Sequence, residues 1–132
     1  MNVEQRTAAD LMTRNLLTVA RTETLRAAVK TMHAHHVHCL LVPHDDARRC
    51  VGIVTAKDII QILCEGDSEM LDRLRVADAM TETSVSLQSD FVIADCLRLM
   101  RRSGVRSAPV MQGSRLVGLL SFTDVLRALA EG

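Results

Sequence analysis

Two short segments carry hydroxyl and carboxyl side chains at the same spacing, which suits the binding of a phosphorylated ligand. Both have the pattern Gly-x-x-Ser/Thr-x-x-Asp, at residues 52–58 and 118–124. Each hydroxyl residue ends an apolar run typical of a strand, and a helical pattern begins directly after it. Free backbone N–H groups and the helix dipole favour a phosphate there, and the hydroxyl adds a donor. The Asp carboxylate can accept hydrogen bonds from ribose hydroxyls, and the Gly lets the backbone approach closely.

The same pattern also has a purely structural interpretation. Ser or Thr followed three residues later by Asp is a common helix start, in which the hydroxyl caps backbone N–H groups. A single copy of the pattern therefore favours capping. Two copies in the same context favour a ligand site, because a protein that binds no ligand there would not need an aspartate at both position 58 and position 124.

Four clustered histidines suggest a second kind of chemistry. His33 and His36 have a spacing that shares one helical face, and with His38 they could form a metal triad. No acidic residue or Cys accompanies them at ligand spacing, and the helix dipole favours His near a helix C-terminus, so we predict no metal site. The pairs Arg48-Arg49 and Arg101-Arg102 indicate a solvated face, with contact of the second pair to ligand phosphates as the alternative.

The remaining reactive residues do not form a catalytic pattern. No C-x-x-C pair occurs among the cysteines Cys39, Cys50, Cys64 and Cys96. A zinc knuckle or redox dithiol is therefore not indicated, and reduced thiols at apolar positions are expected. Because no nucleophile–base pair, metal cluster or Walker-type loop is recognisable, we predict that the chain is not an enzyme and has no catalytic residues or catalytic cofactor.

The composition argues against several function classes. Sixteen basic residues balance sixteen acidic ones, so no net field attracts DNA or an anionic membrane. Two Phe and no Trp or Tyr leave few platforms on which bases could stack. No apolar run approaches membrane-spanning length, and residues 1–10 lack the layout of a signal peptide. We therefore expect a cytoplasmic protein with one compact domain, without nucleic-acid or membrane partners.

An internal repeat provides the elements that position these residues. Residues 9–13 match residues 77–81 at an offset of 68, and this offset also aligns apolar positions further along. A shorter loop in the second copy then aligns residues 51–58 with residues 117–124. A repeat of this length favours two halves packed face to face over a solenoid.

Each copy predicts a short helical turn, a strand, an amphipathic helix, two further strands and a final helix. The expected strands are residues 16–19, 39–42 and 51–54 in the first copy and 85–87, 108–111 and 116–120 in the second. Residues 22–24 and 89–90 are expected to cap the amphipathic helices, and Gly104 to end the second one. A tight turn is expected at residues 112–114, and the polar stretch 65–75 is expected to connect the halves.

This order of elements, with its motifs, resembles a tandem pair of CBS domains (a Bateman module). The resemblance rests on the Asp-x-Met-Thr openings at 10–13 and 78–81, the two closing motifs described above, and the segment Val-Arg-Ser-Ala-Pro-Val at 105–110. It implies an α+β fold of two pseudo-twofold related CBS repeats, each β-α-β-β-α, packed through their sheets. The implied organisation is a first repeat with the N-terminal segment at 1–66, a connector at 67–75 and a second repeat at 76–132.

In the family, each of two nucleotide clefts is shared between the halves, and the resemblance assigns residues to both. The first cleft comprises Leu16, Leu17, Thr18, Val37, His38, Leu41, Ser121, Thr123 and Asp124. The second comprises Ser84, Val85, Ser86, Val105, Arg106, Pro109, Thr55, Lys57 and Asp58. His38, Arg106 and Lys57 are expected to contact phosphate, while the apolar segments hold adenine. The first copy lacks the Pro that Pro109 supplies in the second, but two hydroxyls and His38 favour the first cleft as the stronger site.

The resemblance implies a regulatory or sensor module with AMP, ADP or ATP as its regulatory ligand. The ligand would bridge the two halves and signal through a change of conformation or oligomer, read by a separate effector protein. An apolar stripe of Ile59, Ile60, Ile62 and Leu63 is too wide for one small core and predicts a homodimer. Two alternatives stay open: a structural dimerisation domain without ligand, and a His-based metal-binding module.

Overall fold

The structure, a computed structural model, describes residues 2–43, 51–83 and 85–132. The predictions made for Arg48, Arg49, Cys50 and Ser84 concern positions outside those residues. The chain divides into two compact units. Leu17–Thr83 form the first-repeat unit, and Met1–Leu16 with Ser84–Gly132 form the second-repeat unit. The boundaries expected between the repeats stay predictions. The compact units begin and end at other residues than the sequence repeats do, because the N-terminal segment belongs to the unit of the second repeat.

The order helix, strand, strand, helix that the repeat predicts occurs twice. In chain order the elements are a 3-10 helix at Val3–Gln5, α1 (Ala8–Leu11), α2 (Leu25–His35), β1 (Cys39–Val42), β2 (Gly52–Thr55), α3 (Ala56–Glu65), α4 (Met70–Arg73), α5 (Val76–Ala79), β3 (Thr81–Glu82), β4 (Leu87–Gln88), α6 (Ile93–Ser103), β5 (Ser107–Gln112), β6 (Arg115–Ser121) and α7 (Phe122–Glu131). The predicted order is found as α2-β1-β2-α3 and as α6-β5-β6-α7. Each unit contains a three-stranded sheet, which confirms the predicted mixture of helices and sheet.

The sheet of the first-repeat unit has the order β1-β2-β3, and both pairings are antiparallel. The two-residue strand β3, which pairs Thr81 with Ile53, was not predicted. The strand expected at residues 16–19 is reduced to an isolated parallel bridge between Thr18 and Leu41. Only two backbone bonds support that bridge, from Val19 N–H to the Leu41 carbonyl and from Leu41 N–H to the Leu17 carbonyl.

Helix α2 forms because one face is apolar and its first turn is capped. Leu25, Ala28 and Met32 are buried on that face, and full burial of a side chain such as Leu25 contributes about 1.5–3 kcal/mol. The Thr24 hydroxyl accepts a hydrogen bond from Ala27 N–H at 3.1 Å, which confirms the expected cap. The helix ends at His36 in the left-handed conformation, with φ of 53°.

The connector between the repeats is docked onto α2. The Arg26 guanidinium donates to the Asp72 carboxylate at 2.6 Å and to the Ser68 carbonyl at 2.9 Å. Leu71 is buried, and Leu25 N–H donates to the Leu74 carbonyl. The polar connector is therefore partly helical, as α4, and forms part of the first-repeat unit.

The sheet of the second-repeat unit has the order β4-β5-β6. Strand β4 is parallel to β5, and it begins at Leu87 rather than at the predicted residue 85. Strands β5 and β6 form an antiparallel hairpin. The predicted tight turn is confirmed at Gly113, whose φ of 64° suits a residue without a side chain.

Helix α6 repeats the pattern of α2 with a different start. Ile93, Cys96 and Met100 are buried, and Gly104 ends the helix in the left-handed conformation as predicted. The capping expected from residues 89–90 is wrong, because the N-cap is Val92 and makes no side-chain bond. The Arg6 carbonyl accepts from Ile93 N–H at 2.7 Å instead, so a distant backbone segment satisfies the helix start.

Candidate functional site

The first strand-to-helix corner is the turn from β2 into α3 in the first-repeat unit. Asp58 Oδ2 accepts from Thr55 N–H at 2.8 Å and from the Thr55 hydroxyl at 2.9 Å. The same hydroxyl oxygen accepts from Asp58 N–H at 3.2 Å, which completes a capping box. Asp58 is half-buried, and its Oδ1 accepts no hydrogen bond from any residue that the structure describes. One carboxylate oxygen therefore caps the helix while the other keeps its acceptor capacity.

The second corner is the turn from β6 into α7 in the second-repeat unit. Asp124 Oδ2 accepts from Ser121 N–H at 2.8 Å and from the Ser121 hydroxyl at 3.0 Å. Asp124 Oδ1 accepts from the Thr13 hydroxyl at 3.2 Å and from the Arg127 guanidinium at 3.4 Å. The Asp124 residue is only 6% exposed. Both oxygens of this carboxylate are thus already engaged within the protein.

The capping interpretation of the Ser/Thr-x-x-Asp pattern is therefore realised at both corners. A ligand can bind in addition only where one carboxylate oxygen accepts no hydrogen bond from the described residues, and this is the case for Asp58. The Thr13 and Arg127 contacts were not predicted from sequence. Arg127 is recognisable there as a cation one helical turn after Asp124, whereas Thr13 is 111 residues away.

The glycine of each closing motif has a packing role that the sequence analysis missed. A Cβ built on Gly52 would meet the Met80 thioether sulfur, and a Cβ built on Gly118 would meet that of Met12. The Met of each Asp-x-Met-Thr opening thus packs over the glycine of a closing motif in the same unit. The close approach expected at these glycines is made by a methionine side chain, and the signal was the recurrence of Met and Gly together.

The Asp of each opening motif also has a local structural role. Asp10 accepts from Thr7 N–H at 3.0 Å, and Asp78 accepts from Arg75 N–H at 2.8 Å. The bonds from Thr7 lower the pKa of the Asp10 carboxyl. These carboxylates cap α1 and α5 and provide a comparison for Asp58, since they do the same capping outside the predicted clefts.

The residues predicted for each cleft are divided between the two units, so both shared clefts stay predictions. Within the first-repeat unit, Leu17 and Thr18 lie beside Leu41 through the isolated bridge, while Val37 and His38 lie between α2 and β1. The Ala56 N–H donates to the His38 carbonyl at 2.8 Å, which holds the start of α3 beside the start of β1. Leu16, Ser121, Thr123 and Asp124 belong to the second-repeat unit.

The residues predicted for the second cleft differ in burial. Val85 is buried before β4 and Pro109 is buried within β5, so they belong to the core. Arg106 and Ser86 are exposed, and Val105 is half-buried. Thr55, Lys57 and Asp58 form the corner of the first-repeat unit, with the Lys57 side chain exposed. The exposed cations Lys57 and Arg106 are the groups in this set that suit a phosphate.

A pocket of about 410 Å³ lies within the first-repeat unit. Its lining combines apolar side chains of α2 and α3 with imidazoles: Val29, Met32, His33, His36, Val37, His38, Ala56, Ile59 and Ile60. The rings of His33 and His36 are 6.5 Å apart between centroids, in an edge-on arrangement. Among the described residues, no group of three His, Cys, Asp or Glu side chains is arranged to hold a metal ion.

Two cysteines have the character of core residues. Burial raises the pKa of the Cys39 thiol to about 11, with a smaller contribution from Asp58. Burial likewise raises the pKa of the Cys96 thiol to about 11. Thiolates are scarce at neutral pH under these conditions, which agrees with the prediction for these two residues. For Cys64 the predicted apolar position is wrong, because its side chain is exposed. In the part of the chain that is described, no helix has the length and apolar character needed to cross a bilayer.

With this geometry in view, the comparisons define the class of protein. The family model of the CBS domain matches residues 8–65 and 76–131, so the chain belongs to the CBS domain family. The two matches confirm the predicted tandem pair. The chain is thus a CBS pair, a class of regulatory module, and no enzymatic family is indicated.

Among individual relatives, Hypoxic response protein 1 of Mycobacterium tuberculosis is 32% identical over 127 residues, which cover 95% of this chain and 86% of the relative. The solved structure of Hypoxic Response Protein I with two coordinated zinc ions has a TM-score of 0.72 at 28% identity, covering 92% of this chain and 98% of that one.

Two further solved structures share the fold. The hexameric CBS-CP12 protein from bloom-forming cyanobacteria has a TM-score of 0.82 at 30% identity, covering 92% of this chain and 69% of that one. The CBS domain pair of protein MJ0100, in complex with 5′-methylthioadenosine and S-adenosyl-L-methionine, has a TM-score of 0.78 at 19% identity, covering 96% of this chain and 97% of that one.

Proposed function

We propose that this CBS pair is a cytoplasmic regulatory module that binds an adenine nucleotide (AMP, ADP or ATP), with Asp58 as its main ribose acceptor. The observation that carries the proposal is the Asp58 carboxylate, which caps α3 through Oδ2 and accepts no bond at Oδ1 from the described residues. A half-buried carboxylate oxygen at a helix start suits the paired hydroxyls of a ribose. The adenosine ligands of the MJ0100 domain pair support this ligand class.

The proposal makes the second predicted cleft the principal site. The sequence analysis favoured the first cleft, which Asp124 heads, but Thr13 and Arg127 already bond the outer oxygen of Asp124. A ribose at Asp124 would have to displace those donors, whereas Oδ1 of Asp58 accepts no hydrogen bond from the described residues. Lys57 is exposed beside Asp58 on the first turn of α3 and would balance the phosphate charge of a ligand at Asp58.

The test is calorimetric titration of the chain with AMP, ADP, ATP and S-adenosylmethionine. Asp58→Ala is expected to weaken the best ligand about tenfold or more, since loss of a hydrogen-bonded buried partner costs about 1–3 kcal/mol. Asp78→Ala is the matched control, because Asp78 caps α5 in the same way outside both clefts. Equal affinities in the wild type and the Asp58 variant would disprove the assignment.

A homodimer is the assembly that we propose for signalling. The predicted stripe of α3 is narrower than expected, because Ile59 is buried and only Ile60, at 57% exposure, is an exposed large apolar residue on it. Leu126 occupies the position of Ile60 in the second copy and is 64% exposed, with Leu129 at 54% on the same helix. Exposed leucine and isoleucine at matching positions of α3 and α7 suit an interface between copies.

Light scattering at micromolar concentration tests the assembly. A dimer mass for the wild type and a monomer mass for an Ile60→Glu/Leu126→Glu variant are expected. A monomer mass for the wild type, with and without nucleotide, would rule the homodimer out. If the dimer forms, we propose that a separate effector protein reads its ligand-bound state.

A further inference from the structure

The three histidines of the pocket have defined counterparts in the other copy. At the offset of 68 residues, His33 aligns with Arg101, His36 with Gly104 and His38 with Arg106. Two of the three positions are therefore basic in both copies, at the end of α2 or α6 and just before the next strand. The second copy uses guanidinium groups, which stay charged at all working pH values, whereas imidazole charge depends on pH.

The pocket geometry gathers the imidazoles around one opening. His33, His36 and His38 line the pocket together, the first two with ring centroids 6.5 Å apart, and all three are exposed. His36 holds this place in a left-handed backbone conformation that side chains rarely adopt, where the other copy has Gly104. Among the described residues that line the pocket, none is acidic. An anion in the opening therefore meets no opposing carboxylate on the lining.

The surrounding charges on α2, β1 and α3 are balanced, so the imidazoles of the lining determine the charge of the pocket. The other titratable side chains of α2, β1 and α3 are Arg26, Lys30, His35, Cys39, Lys57, Asp58, Cys64 and Glu65. Arg26 is paired with Asp72, and one oxygen of Asp58 is held by Thr55. Lys30 and Lys57 then equal Asp58 and Glu65 in number, and neither carboxylate lines the pocket.

We propose that His33, His36 and His38 form a proton-dependent anion site that takes a phosphate group, so that ligand binding by the first-repeat unit weakens as pH rises. Protonated imidazoles donate charge-assisted hydrogen bonds to phosphate, and an anion between two neighbouring rings offsets their mutual repulsion. The arginines of the second copy keep their charge over the same range. The inference rests on the proposed function only for the phosphate's source, a nucleotide, and it adds regulation by pH.

The test compares ATP binding at about pH 6 and about pH 8, the range over which imidazoles change charge. The reference is the His33→Arg/His38→Arg variant, which copies Arg101 and Arg106. Wild-type affinity is expected to fall about tenfold relative to that variant, the loss expected when a charge-assisted hydrogen bond becomes neutral. Ionisation of the ligand itself cancels in this comparison. His35→Gln, on α2 but outside the pocket lining, should keep the wild-type response.

Inorganic pyrophosphate as a second probe separates the two proposals. An identical pH response in the wild type and the arginine variant overturns this inference even if ATP binds. Pyrophosphate that binds with the predicted pH response, while ATP gains nothing over it, supports the anion site and overturns nucleotide binding. Binding of neither probe at about pH 6 overturns both.

Discussion

The corner at Thr55–Asp58 and the corner at Ser121–Asp124 share one capping geometry and differ in what remains for a ligand. In both, one carboxylate oxygen accepts from the backbone N–H and the hydroxyl of the preceding Ser or Thr. The other oxygen of Asp124 is bonded by Thr13 and Arg127, while that of Asp58 accepts nothing from the described residues. A motif that recurs in sequence can thus be closed in one copy and open in the other.

The difference comes from one substitution and from one threonine that makes a hydrogen bond in the second-repeat unit only. Gln61 stands where the second copy has Arg127, three residues after the Asp, so no cation follows Asp58 on its helix. Thr81, the counterpart of Thr13, lies on β3, and no hydrogen bond joins it to Asp58 within the part of the chain that is described. The second oxygen of Asp58 therefore stays available, whereas Asp124 is nearly fully buried and bonded at both oxygens, which makes it a structural residue.

The largest expected effect is on stability at Asp124. Asp124→Ala should lower the free energy of unfolding by about 2 kcal/mol, because Asp124 is only 6% exposed and its removal deprives the Ser121 N–H, the Ser121 hydroxyl and the Thr13 hydroxyl of their acceptor. Asp58→Ala removes a half-exposed cap and should cost about 1 kcal/mol. Urea denaturation of both variants measures the difference, with Asp78→Ala as a control at an exposed cap. Equal losses at the two corners would remove the distinction between a structural and an available carboxylate.

A smaller difference is expected at the helix ends that precede the two basic positions. Gly104→Ala should cost about 1–2 kcal/mol, because a Cβ strains the left-handed backbone. Nothing lies within 4 Å of that Cβ, so no clash adds to the cost. His36→Gly relieves the same backbone strain in the folded state, but it also raises the conformational entropy of the unfolded chain. Because these two effects oppose each other, the free energy of unfolding should change by less than about 1 kcal/mol. Thermal unfolding distinguishes them, and a large loss at His36→Gly would show that the imidazole has a packing role.

The fold was predictable where local patterns determine it. The buried faces of α2 and α6, the strand β1, the stop at Gly104 and the turn at Gly113 follow from apolar spacing and from backbone conformations that glycine adopts easily. The start of α6 was not predictable, because the Arg6 carbonyl caps it from a distant segment while nearby polar residues do not. Short pairings such as β3 likewise depend on distant partners.

The residue types of the site were predictable from the sequence. Which of their carboxylate oxygens remain free to accept a hydrogen bond from a ligand was less predictable. The Ser/Thr-x-x-Asp spacing correctly located both corners, since capping and ligand binding use the same side chains. Whether a carboxylate oxygen is left over depends on contacts such as that of Thr13 with Asp124, which spans 111 residues of sequence. The glycines were assigned to backbone approach, and their packing against Met12 and Met80 emerges only in three dimensions.

The smallest expected effect is an exchange of the residues that follow the two aspartates. Arg127 is 60% exposed at its side chain, so its ion pair with Asp124 contributes less than about 1 kcal/mol, and Arg127→Gln should be nearly neutral for stability.

Gln61→Arg places a cation at the matching position after Asp58. Competition of that cation for the open oxygen should weaken AMP binding about two- to fivefold, the range that an exposed pair supplies. Calorimetry on Gln61→Arg measures the effect, and Gln61→Met, similar in length and uncharged, is the control. Tighter AMP binding in Gln61→Arg would mean that position 61 faces the phosphate rather than the ribose, and the comparison between the corners would need a different origin.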